Sequence, residues 1–159
     1  KPRFNTSFSS SENVEIAIAD SDLIIGAVLI PGAEAPKLIS KSQLSRIKSG
    51  AALVDVAIDQ GGCFETSRAT THENPIYKVD DVVHYCVANM PGAVPNTSTL
   101  ALSNATAPFI LQLANKGWKT ACRENQNLLN GLNVCDGLIT NKAVAKAQTL
   151  DFFDPKHLL

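Results

Sequence analysis

An α/β fold built on a doubly wound parallel sheet is what these 159 residues predict, and three observations carry the prediction. Nearly continuous apolar runs of strand length recur at 22–28, 51–58 and 82–88, the pattern of strands covered by helices on both faces. Segments with helix-capping signals precede and separate them. Each run then breaks at proline, glycine or a polar residue, and in such sheets ligands bind outside the C-terminal strand ends.

The elements follow in order. Ser10 or Ser11 can cap a helix over Asn13 to Ala19, with Glu12 and Glu15 suiting its positive N-terminal end. Val14, Ile16, Ala17 and Ile18 are its expected inner side. The first strand runs from Asp22 to Val28, followed by a loop with Pro31, Gly32 and Pro36. Ser40 can cap a second helix through Leu44 and Ile47, with Arg46 and Lys48 in its last turn and Gly50 as the stop. Ala51 to Ile58 reads as a second buried strand. The polar stretch Asp59 to Asn74, with Gly61-Gly62, reads as a long loop, and long loops in compact domains are usually functional. Val82 to Ala88 is the third strand, broken at Met90-Pro91-Gly92.

After Pro95 the character changes. Thr97 to Lys116 is helix-like, with Pro108 expected to kink or divide it and Gly117 to end it. A further helix is expected around Trp118 to Arg123, and a short strand or loop over Asn133 to Ile139. Thr140 can cap Asn141 to Gln148, and the tail from Asp154 forms a short helix at most.

Composition excludes several classes. A net charge of −1 leaves no electrostatic footprint for nucleic acid or an anionic membrane. No apolar run approaches the roughly 20 residues of a spanning helix. The chain opens Lys1-Pro2-Arg3-Phe4-Asn5, with neither a leader pattern nor a Met, so a piece of a longer chain is expected. Cys63, Cys86, Cys122 and Cys135 are widely spaced, which fits reduced cytosolic thiols better than a disulfide frame or a zinc site.

Asp59 lies just past an apolar strand and just before two glycines that let backbone approach a ligand closely. Such a carboxylate can orient a ligand, relay a proton or bind a ribose hydroxyl; equally, it can simply cap the next turn. Asp55, inside the strand, needs partners if ionised and reads as a hydrogen-bonded structural residue. Arg68, in the long loop, either pairs a phosphate or carboxylate or is merely solvated. His84 reads as a satisfied strand histidine, and loop His72 carries no stronger sign. No base or cation neighbours Cys63 in sequence, so it reads as an inert small side chain. Trp118 reads as a packing anchor. No G-x-G-x-x-G occurs, although the phosphate-binding turn of a dinucleotide domain belongs after its first strand.

The runs Ile25-Gly26-Ala27-Val28-Leu29-Ile30-Pro31-Gly32, Val54-Asp55-Val56-Ala57-Ile58-Asp59-Gln60-Gly61-Gly62-Cys63 and His84-Tyr85-Cys86-Val87-Ala88-Asn89-Met90-Pro91 resemble alanine dehydrogenases. So do Thr97-Ser98-Thr99, Asn104-Ala105-Thr106 and Leu113-Ala114-Asn115-Lys116-Gly117-Trp118, and the resemblance covers essentially the whole chain. The NAD-binding subunit of proton-translocating transhydrogenase is the related alternative. That family usually carries Glu at the position of Asp59 and differs around Cys63 and Asn89-Met90, which favours alanine dehydrogenase.

The resemblance implies the back half of a Rossmann-type doubly wound NAD-binding domain over 1–95. The C-terminal segment of a substrate domain would follow over 96–159, with NAD between the two domains of the parent. It puts Ser9 near the adenosine end of NAD and Val28 and Leu29 on the adenine or ribose side. Val56, Ile58, Asp59 and Gln60 fall on the nicotinamide side, Arg68 at a cofactor contact, and Val87, Ala88, Asn89 and Met90 along the nicotinamide wall. Asp59 matches the family's catalytic aspartate, which works beside a histidine that this chain lacks. Also lacking are the substrate-binding arginine and lysine and the acidic residue that holds the adenosine ribose. The implied reaction is reversible NAD-dependent deamination of L-alanine to pyruvate and ammonia, in a cytoplasmic homo-oligomer, commonly a hexamer, with no nucleic-acid or membrane partner. The segment alone is expected to be inactive. A non-catalytic nucleotide-binding or assembly module is the competing reading from another class.

Overall fold

The structure, a computed structural model, describes residues 4–159. It divides into two compact units, one of Lys1–Ile30 with Glu34–Met90 and the other of Pro31–Ala33 with Pro91–Leu159.

The first unit holds a four-stranded sheet in the order β1-β2-β4-β3. Its strands are β1 (Leu23–Gly26), β2 (Ala52–Asp55), β3 (Ile76–Val79) and β4 (Val82–Tyr85). β1, β2 and β4 run parallel, and β3 is antiparallel to β4. Sequence reading leaves 75–81 unassigned and so misses β3. The hairpin turns at Asp80 and Asp81, whose φ angles of 48° and 64° are both positive, the geometry of a tight two-residue turn that matches strand twist. Asp-Asp is a weaker turn signal than Asn-Gly, and β3 is only four residues long.

The expected second strand is shorter than its apolar run. β2 ends at Asp55, because the side chain of Asp55 captures the N–H of Ala57 and bends the chain into a 3-10 turn over Ile58–Gln60. The Ser40 helix is likewise a 3-10 turn, Lys41–Arg46, closed by a capping box in which Gln43 accepts from the backbone N–H of Ser40.

Helix α1 (Ser11–Ala19) starts at Ser10, whose hydroxyl accepts from the Asn13 N–H. Its inner side is narrower than expected: Ile18 is buried and Val14 packs against the core, whereas Ile16 is 65% exposed. A period of 3.6 puts 14 and 18 together and turns 16 outward. The core collects Ile18, Ile39, Leu44, Leu53, Phe64 and Val82 on one face of the sheet. The expectation of cover on both faces fails for β1, where Leu23 is 56% and Ile25 60% exposed. By register these two share a face with the half-buried Ala52, Val54, Val83 and Tyr85, so that face is open at its β1 end.

In the second unit α2 spans Pro95–Glu124. Pro108 does not divide it: the carbonyl of Asn104, which would have received the missing N–H, is on an exposed residue that water can serve. The break comes at Gly117, where φ 70° and ψ 158° leave the helix before it resumes at Trp118, as the sequence suggests. Asn125 caps α3 (Gln126–Asn130) and reaches back to Gln112 at 3.0 Å. β5 (Val134–Cys135) and β6 (Leu138–Ile139) form a small antiparallel pair. The cap of α4 (Lys142–Gln148) is Asn141 rather than Thr140; the Thr140 hydroxyl instead donates to the Leu132 carbonyl at 2.7 Å. Among the described residues no helix is long and apolar enough to cross a membrane.

Candidate functional site

Parallel pairing of β1 with β2 brings their C-terminal ends side by side, with the Val56 N–H donating to the Gly26 carbonyl at 2.8 Å as the last rung. Beyond that rung both chains turn away from the sheet and leave a cleft of about 250 Å³ lined by Ala27, Val28, Leu29, Val56, Ala57, Asp59 and Gln60. Five of the residues singled out from sequence therefore meet in one place: Val28, Leu29, Val56, Asp59 and Gln60. The sixth in this stretch, Ile58, is buried beneath it.

The cleft is apolar on the β1 side, while the β2 side joins apolar Val56 and Ala57 to polar Asp59 and Gln60. Asp59 is exposed and sits in the middle of the 3-10 turn. Gln60 Oε1 is buried without a hydrogen-bond partner among the described residues. An orphaned acceptor of this kind costs about 1–3 kcal/mol unless a ligand or water donates to it, and a carboxamide or hydroxyl donor suits it.

The turn that carries Asp59 is rigidly founded. Asp55 is fully buried, and its carboxylate accepts from the N–H of Ala57 at 3.0 Å, the N–H of Cys63 at 2.8 Å, the Ser67 hydroxyl at 2.5 Å and the Cys63 thiol at 3.4 Å. On the outer side Lys37 Nζ donates to the carbonyls of Gly61 at 2.5 Å and Gly62 at 2.7 Å. Burial, reinforced by the Asp55 charge, pushes the Cys63 thiol up to about 12, so it stays protonated and inert.

A second network fixes the loop that follows. Tyr77 Oη accepts from the Arg68 N–H at 2.8 Å and donates to the Thr66 carbonyl at 2.8 Å, while the Arg68 guanidinium lies over the Tyr77 ring at 3.9 Å. Tyr77 also stacks on His84, with centroids 4.9 Å apart. His84 is fully buried, and because the Val82 carbonyl can only accept, Nδ1 carries the ring proton and Nε2 accepts from the Thr66 hydroxyl. Burial lowers its pKa and holds the ring neutral. Sequence reading took His84 correctly as a satisfied histidine but missed Tyr77, whose position depends on the unread β3.

The remaining expected site residues lie apart from this cleft. Arg68 is exposed on Tyr77. Ser9 lines a different hollow, of about 490 Å³, with Ser10, Lys37 and Gln43. Past β4, Val87 is fully buried and offers no surface, whereas Ala88 and Asn89 are exposed and Met90 is half-buried. Asn89 takes a positive φ of 63°, and its carbonyl accepts from His72 Nε2 at 2.9 Å.

The family profile described as "Alanine dehydrogenase/PNT, C-terminal domain" matches residues 1–142. The chain is 58% identical over 157 residues to an alanine dehydrogenase of Halomonas elongata, covering 99% of this chain and 42% of that protein. It is 55% identical over the same length to the alanine dehydrogenase of Mycolicibacterium smegmatis, again 42% of the relative. Among solved structures it is similar to an L-alanine dehydrogenase, with TM-score 0.72 and 47% identity over 88% of this chain and 38% of that one. A transhydrogenase from Sinorhizobium meliloti is more distant, at TM-score 0.52 and 30% identity over 57% of this chain and 26% of that one. The chain thus spans about two fifths of the length of the curated relatives it matches. With the profile covering all but its last residues, this chain belongs to the alanine dehydrogenase/PNT C-terminal domain family.

Proposed function

We propose that this chain forms part of an NAD-dependent alanine dehydrogenase, with residues 1–95 as the back half of its NAD-binding domain and 96–159 as the returning part of its substrate domain. The reaction is L-alanine, NAD⁺ and water going to pyruvate, ammonium, NADH and a proton. The observation that carries the reading is the cleft at the ends of β1 and β2, where Val28, Leu29 and Val56 meet Asp59 and Gln60, whose buried Oε1 has no partner among the described residues.

These residues fit a dinucleotide. Val28 and Leu29 supply an apolar surface and Gln60 an acceptor for a carboxamide or hydroxyl donor; Ala88, Asn89, Met90, Arg68 and Ser9, outside the cleft, remain candidate contacts. Bound NAD supplies the hydride acceptor, and the protein orients it. Asp59 holds or moves a proton as the amine is oxidised and the resulting carbon–nitrogen double bond is hydrated. The substrate is held by residues outside this chain, in a longer, cytoplasmic and oligomeric protein. The apolar sheet face open at β1 and the chain's share of the relatives' length support that reading.

The test is alanine-dependent NADH formation by the full-length protein carrying this segment. Turnover with L-alanine and NAD supports the proposal; NAD binding without amino-acid oxidation would move it to a nucleotide-binding module.

A further inference from the structure

We propose that Asp55 is a positioning residue whose buried carboxylate sets where Asp59 and Gln60 stand in the cleft, an inference that rests on the reaction proposed above. The argument is geometric. The turn from 56 to 62 leaves the end of β2 and folds back toward it, and one carboxylate ties both stems: Ala57 N–H on the outgoing side, Cys63 N–H on the returning side. The same group accepts from the Ser67 hydroxyl and the Cys63 thiol, so all four contacts are donors and none is a cation. Asp59 lies between the tied stems, two residues from Ala57 and four from Cys63.

The surroundings leave the carboxylate no other placement. At Gly62, φ is +73° and an added Cβ would stand 2.7 Å from Asp55 Oδ2 and 2.7 Å from Ser67 Cβ, so a side chain there would displace the carboxylate. The Gly62 N–H also closes back on the Ala57 carbonyl at 3.0 Å. A fully buried carboxylate with four donors is more than a strand end needs; its geometry defines the platform from which Asp59 projects.

Asp55→Asn is nearly isosteric but exchanges one acceptor oxygen for an NH₂ group. Because both oxygens receive N–H donors, the amide meets a donor in either orientation, and the turn must shift. A misplacement of the order of 1 Å costs up to about 10²-fold in rate. The experiment uses the full-length protein, with Ser67→Ala as a gentler variant that removes one donor and keeps the carboxylate. For each, kcat, KM for alanine, the pH dependence of kcat and the melting temperature are measured. We expect Asp55→Asn to lose about 10- to 10²-fold in kcat with a displaced acidic limb, Ser67→Ala to fall between it and wild type, and KM to change less than kcat. Lower melting temperatures with kcat per folded molecule and the acidic limb unchanged would overturn the proposal. If Asp55→Asn does not fold, Ser67→Ala decides by the same criteria. If the wild-type protein oxidises no alanine, the reaction reading fails separately, and amide exchange then decides the positioning claim. Faster exchange over 57–63 in Ser67→Ala, with β1 and β2 still protected, supports it, and an unchanged turn overturns it.

Discussion

Asp59 and His84 illustrate how differently two titratable side chains are used within one unit. Asp59 is exposed on the 3-10 turn beyond β2, lining the cleft. Asp59→Asn keeps its size and removes the proton acceptor, so in the full-length protein kcat is expected to fall by about 10²- to 10⁴-fold with a smaller effect on NAD affinity. Near-normal kcat with a lowered melting temperature would make it a turn residue instead. His84 is sealed beneath Tyr77, and burial depresses its pKa below the ordinary 6.5. An unfolded chain therefore takes up a proton that the folded one resists. The stability this confers is complete above pH 6.5 and is lost as the pH falls through that value toward the folded pKa. The melting temperature should drop below pH 6.5, and His84→Asn should flatten that part of the curve. Cys63, held as a thiol by burial, should resist alkylation at mildly alkaline pH until the protein is unfolded.

At the scale of elements, the parallel strands were legible because apolar runs bounded by turn residues announce themselves. The ends of those strands were less so. β2 stops inside its apolar run because Asp55 turns its own backbone, a side-chain event that hydropathy does not encode. β3 was missed because four residues with alternating exposure carry little signal, and Tyr77 and its hold on Arg68 were lost with it. Pro108, expected to kink or divide α2, does not divide it, since a solvated helix tolerates a freed carbonyl. The candidate cleft was readable only as a set of strand-end residues; that Val28 and Leu29 meet Asp59 and Gln60, and not Ser9, depends on strand order. Gly26 was unremarked, yet a methyl group there would run into Cys63 Sγ and stand 2.6 Å from Phe64 Cζ, both fixed by the core. Gly26→Ala should cost about 1–3 kcal/mol by overpacking, seen as a lowered melting temperature of the full-length protein. An unchanged melting temperature would mean that Phe64 can move aside.

For the whole molecule, the central fact is that β1 is an edge strand with one apolar side open within the first unit. Leu23 and Ile25 stand open, and among the described residues β1 ends the strand order with its outer edge unpaired. This 159-residue segment expressed by itself should therefore show no alanine-dependent NADH formation and bind NAD weakly, in contrast to a full-length chain; calorimetry at micromolar affinity would contradict that. The same open edge has a practical side. A row of free N–H and C=O groups beside an apolar surface is a template onto which any other extended chain can add. In a product that lacks the rest of the sheet, that surface would stay open to chaperones. A bench preparation of the isolated segment would meet the same fate as turbidity, dye binding and inclusion bodies, and a soluble fusion carrier would postpone this without curing it.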